Sequence, residues 1–175
     1  MTRFSYYRRL SARQRAVYRR SDEVVSIALP DAASLRPLIA EIDAGLLADD
    51  RKRTQQATVA FAKGICGALE MPPVVLRVLA RRPSNAREEL HGLYEREKGK
   101  PAVIRVWMRT AAYERPVALR TFVRTVLHEL CHHLDFEKLG LRDSYHTEGF
   151  FRRESSLARQ LLPKRDRKAQ LELFR

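Results

Sequence analysis

Apolar positions recur at two different periods along this chain, and the change of period marks out its elements. From Pro116 to about Phe136 the set Leu119, Phe122, Val123, Val126, Leu127, Leu130 and Leu134 steps by three and four, which predicts a helix with one buried face. A mixed pattern containing Ala57, Phe61, Ala62, Ile65 and Leu69 predicts another long helix over residues 50 to 69, ended by Met71-Pro72-Pro73. An earlier helix is expected after Pro30 or Asp31.

Strand signals fill the middle. Residues 74 to 79 form a β-branched run closed by Arg82-Pro83-Ser84-Asn85, residues 90 to 94 suit a short strand, and residues 102 to 108 make the clearest strand, after the turn-like Lys98-Gly99-Lys100-Pro101. Gly140 suits the end of the 116–136 helix. After a connection over residues 141 to 146, a last helix runs from about Thr147 to Leu162 and stops at Pro163. Helices, then a small sheet, then two helices make an α+β layout.

With 175 residues, one main domain is expected over residues 23–175, preceded by a basic N-terminal helix or arm over residues 1–22. In that segment Tyr6, Tyr7, Leu10, Val17 and Tyr18 alternate with arginines. No apolar leader or membrane-length stretch is visible, so the expected location is the cytoplasm, without membrane association. The two cysteines, Cys66 and Cys131, read as reduced core residues.

Charge adds a partner class. Thirty-four Lys and Arg against 21 Asp and Glu give a net charge of +13, and the excess gathers at both ends. Such ends are suited to nucleic-acid phosphates, or alternatively to keeping helix faces solvated.

The chemistry lies at residues 128 to 132. His128-Glu129-Leu130-Cys131-His132 has the HExxH spacing, which on a helix turns two imidazoles to one side, one turn apart, as neighbouring ligands of Zn2+. Glu129 then takes the general-base position beside the open coordination site. A catalytic zinc needs a third protein ligand, for which His146, Glu154 and Glu148 compete. Imidazole is the commoner choice, which puts His146 first. Asp135, one turn beyond His132, is a candidate to orient a ligand histidine or else a plain surface acid. His133 points about 100° away from His132 and reads as structural. Tyr145 is a candidate oxyanion donor or a packed ring, and His91 has no assigned role.

HELCH followed by His146-Thr147-Glu148-Gly149-Phe150 resembles the SprT-like zinc metalloproteases, which include the Spartan proteases that degrade proteins crosslinked to DNA. The resemblance spans about residues 74 to 151. It implies a third histidine ligand at His146, with Phe150 four positions on, a zincin-like fold, and hydrolysis of protein or peptide substrates. Thr147-Glu148 stand where that family usually has Gly-Pro, and its four-cysteine zinc ribbon has no counterpart here. Gluzincins, with a helical glutamate as third ligand, are a more distant likeness.

Zinc-dependent peptide-bond hydrolysis, with nucleic acid as a further partner of the basic termini, is the function these residues suggest. The alternative is a non-catalytic, basic nucleic-acid-associated protein with a structural zinc. An extended substrate is expected to pair with a sheet edge, residues 102–108 being the candidate unless that strand is central, with Val103, Arg105 and Trp107 facing away from the core.

Overall fold

A computed structural model describes residues 4–81, 83–85, 88–89, 91–111 and 114–163. Among these it is an α+β protein of five α-helices and a small mixed sheet. A short 3-10 turn over Ser5–Arg9 leads into α1 (Ala12–Glu23). Another over Ala32–Leu35 leads into α2 (Arg36–Leu47), followed by α3 (Arg51–Ala68). Then come β1 (Val75–Arg81), the small pair β2 (Ser84–Asn85) and β3 (Glu88–Glu89), β4 (Gly92–Glu95) and β5 (Val103–Arg109). Helices α4 (Leu119–Glu137) and α5 (Glu148–Leu161) close the described chain.

The ends of the helices follow local chemistry. Ser11 and Gln14 form a reciprocal capping box at the start of α1, Asp50 accepts the Arg53 N–H at the start of α3, and Thr147 accepts the Phe150 N–H at the start of α5. Gly140 takes a φ of 60° just after α4, a backbone conformation that costs glycine little. Pro116 does not open α4. It bridges Arg109, and the helix begins at Leu119.

The sheet has the order β1-β5-β4, with β1 parallel and β4 antiparallel to β5. Of the two readings of residues 102–108, the structure rules out the substrate edge and takes the central one: β5 is the central strand, and the edges are β1 and β4. Leu76 and Tyr94 sit opposite Ile104, while Val78 and Gly92 sit opposite Val106, so these six positions share one face. That face meets the apolar stripe of α4 in a single core, with Phe122, Val123, Val126, Leu127, Leu130 and Leu134 buried. Val103, Arg105 and Trp107 take the other face, where Arg105 pairs with Glu95.

The two edges are treated differently. Along β1, the Gln55 side chain of α3 donates to the Leu76 carbonyl at 2.9 Å and accepts the Val78 N–H at 2.5 Å, in the manner of a neighbouring strand. Strand β4 pairs, among the described residues, only with β5.

Of the two forms expected for the basic N-terminal segment, the helix is the one found. Tyr18 and Ser21 of α1 are buried, and α1 packs on α5. The basic stretch expected to continue past Pro163 lies outside the described residues. No helix is long and apolar enough to cross a membrane, among the described residues. Cys66 and Cys131 are buried free thiols, and burial pushes Cys66 up to about 11 and Cys131 higher still.

Candidate metal centre

Because His128 and His132 lie beside the apolar stripe of α4 rather than within it, burying that stripe leaves both rings half-buried on one side of the helix. The chain then turns back, and His146, one residue before the Thr147 cap of α5, meets them. Its Nε2 is 2.9 Å from Nε2 of His128 and 3.1 Å from Nε2 of His132. Three nitrogens of one kind converge on one point, within 4.8 Å of one another, as ligands of a single cation do. Phe150 lies against all three imidazoles, with ring centroids 4.7 to 5.2 Å away.

The other ring nitrogens are assigned by their partners. Burial by itself would raise the Glu154 carboxyl, but hydrogen bonds from His128 and Arg124 outweigh it and hold the group below its ordinary range. An ionised Glu154 accepts the Nδ1–H of His128 at 3.2 Å and the Nε–H of Arg124 at 2.9 Å. His132 donates from Nδ1 to Ser144 Oγ at 2.7 Å, and Ser144 donates in turn to Asp135 Oδ2 at 2.7 Å. Both arrangements leave the Nε2 lone pairs free for a cation. Burial, with the neighbouring rings, pushes His132 down to about 3, and the same causes lower His146. Neutral imidazole is the form that binds metal.

Glu129 stands beside this cluster, 5% exposed. Desolvation raises its carboxyl to about 7, against the pull of His128 and with a further push from Glu154. It lines a cavity of about 850 Å³ together with the three histidines, Gly92 and Tyr94 of β4, and Thr121, Thr125 and Phe136.

Compared with known protein families, curated proteins and solved structures, the chain has no match in any of the three. What the centre can do follows from its own atoms.

The other candidates take other positions. Glu154 stands behind His128, and half-buried Glu148 pairs with Arg152. Asp135 does face His132, with the Ser144 hydroxyl interposed. His133 donates from Nε2 to the Pro72 carbonyl, so its Nδ1 accepts from the Tyr94 hydroxyl, a structural role. Tyr145 turns its hydroxyl to Asp143 at 3.0 Å and does not line the cavity. His91, without a role in the sequence reading, is exposed on the cavity rim.

Sequence reasoning passed over Ser144, Arg124, Arg153 and Gly92. Arg124 carried a usable signal, since it precedes His128 by one helical turn. Ser144 acts on Asp135 and His132 of the preceding helix, while Arg153 and Gly92 matter through contacts far along the chain.

Proposed function

We propose that this chain is a zinc-dependent metallopeptidase of zincin-like fold, akin to the SprT-like proteases. The observation that supports it most is the convergence of three Nε2 atoms beside a buried carboxyl, Glu129, whose proton affinity is raised toward neutrality. The donor set suits zinc: three imidazoles, two of them oriented by acceptors behind them. Bound there, zinc supplies Lewis acidity, which acidifies water and polarises a carbonyl.

Glu129 removes a proton from the attacking water as it adds to the peptide carbonyl carbon. It then delivers that proton to the departing amine as the C–N bond breaks. The extended substrate lies along β4 rather than β5, since among the described residues β4 pairs only with β5 and its Gly92 and Tyr94 line the cavity. The basic surface of α1 suits substrates held on nucleic acid, in which case affinity for duplex DNA falls steeply with added salt.

A structural zinc in a non-catalytic protein calls for a fourth protein ligand, and among the described residues the cluster numbers three. Glu129 would also have no task there.

The deciding experiment measures zinc content and peptide hydrolysis of the wild type, His146→Ala and Glu129→Gln. One zinc per chain is expected in the wild type and in Glu129→Gln, with hydrolysis in the wild type alone. A folded wild type that takes up no zinc overturns the proposal.

A further inference from the structure

We infer that the N-terminal segment, residues 4–24, is a working part of the metal centre, positioning His146 directly and His132 through a buried relay. This rests on the proposed metal-binding role of the three histidines. The segment lies outside the stretch of family resemblance.

His146 is exposed and sits in the connection between α4 and α5, where no regular element fixes it. The N-terminal segment grips the chain around it. Tyr6 donates its hydroxyl to the His146 carbonyl at 3.1 Å, and its ring stacks on Tyr145, the preceding residue. The hydroxyl of Thr147, the following residue, bonds that of Ser21 at 3.2 Å. Two residues further on, the Gly149 N–H donates to Asp22 Oδ1 at 2.8 Å. A Cβ at Gly149 would stand 2.4 Å from the Ser21 carbonyl oxygen, so the end of α1 seats directly on the start of α5.

His132 is reached indirectly. Behind its Nδ1 stand Ser144 and then Asp135, whose Oδ1 accepts from Arg153 Nη2 at 2.7 Å. Arg153 and Asp135 are both fully buried. The other hydrogen bonds of the Arg153 guanidinium run to the carbonyls of Ser21 and Val24 and to the Ser21 hydroxyl. Withdrawal of the segment leaves a buried cation with one anchor, and the relay to His132 loses its fixed end.

A segment that only stabilised the fold would affect melting without affecting how the histidines hold a cation. Full-length Tyr6→Phe keeps the ring and loses one hydroxyl; Ser21→Ala loses the hydroxyl's bonds to Thr147 and Arg153 but keeps its carbonyl, which still accepts from Arg153. Co2+ is the probe, read by its visible absorption spectrum and by chelator competition, with melting of the metal-free protein alongside. Each variant is expected to bind Co2+ about 10- to 100-fold more weakly, with an altered spectrum, while metal-free Tyr6→Phe melts close to the wild type. Ser144→Ala is expected to show the same weakening, and Ser144→Thr, which keeps the hydroxyl, to restore it. Wild-type affinity and spectrum in both Tyr6→Phe and Ser21→Ala overturn the inference. If Ser21→Ala does not fold, Tyr6→Phe decides alone. A wild type that binds no Co2+ and no zinc overturns the metal reading, and this inference with it.

Discussion

A Cβ on Gly92 would stand 2.3 Å from Oε1 of Glu129 and 2.8 Å from its Cδ and Cγ. The glycine is needed here for space rather than for backbone freedom, since its φ is not positive. Strand β4 approaches α4 so closely at this point that only a residue without a side chain leaves room for the carboxylate. Gly92→Ala therefore displaces the proposed general base without touching a histidine. Peptidase kcat is expected to fall by about 100-fold, the usual cost of shifting a catalytic group by roughly 1 Å. Zinc content is expected to stay at the wild-type level; loss of zinc instead would place the defect in the fold.

The raised Glu129 carboxyl makes the metal-free protein's stability depend on pH. Its folded value near 7 exceeds the unfolded value near 4.5, so the folded state holds the proton more tightly. The stabilisation is complete below about pH 4.5 and is lost as pH rises through 7. The loss is of order 3 kcal/mol. Glu129→Gln lacks this titration, so in metal-free samples its advantage in Tm over the wild type is expected to grow from pH 5 to pH 8. A constant gap across that range would mean that Glu129 ionises like a solvated carboxylate.

Glu154 and His146 are expected to affect metal retention unequally. His146→Ala removes a nitrogen from the cluster itself. Glu154→Gln removes only the carboxylate that accepts from His128 Nδ1, which is expected to cost about 10- to 100-fold in zinc affinity. Chelator competition checks the ranking. If Glu154→Gln proves the more damaging, the carboxylate itself binds the metal and the centre is of the glutamate-ligand kind.

Arg153 and Asp135 form an ion pair with no solvent exposure. Removing one member leaves the other buried and unneutralised, so Arg153→Met and Asp135→Leu are each expected to cost about 3 to 5 kcal/mol in denaturant unfolding. The double variant is expected to lose less than the sum of the two. Additive losses would show that the two charges are supported independently.

Features that depend on neighbours in sequence were the ones legible beforehand. The stripe from Leu119 to Leu134 and the one-turn spacing of His128 and His132 are local, so periodicity revealed both the helix and its chemical side. Residues 102–108 were recognisable as a strand, but their central place depends on pairing with β1 and β4, which no local pattern encodes. The contact of Arg153 with Ser21 spans 132 residues, and the role of Gly92 depends on a helix more than 25 residues further on. Glu154 was visible as a chemically apt residue, yet whether it faces the cluster or stands behind His128 is decided by how α5 packs on α4.

Among the described residues, the amide of Gln55 makes the sheet a one-ended structure. An unpaired strand invites any extended chain, including another copy of the same protein, and two such edges would allow copies to string together. By satisfying both the carbonyl of Leu76 and the N–H of Val78, one side chain acts as a stopper on β1. Among the described residues, growth of the sheet is left a single direction, and a newcomer taking it arrives beside Glu129. Protection against self-assembly and the approach of a guest strand to the proposed general base thus come from the same asymmetry.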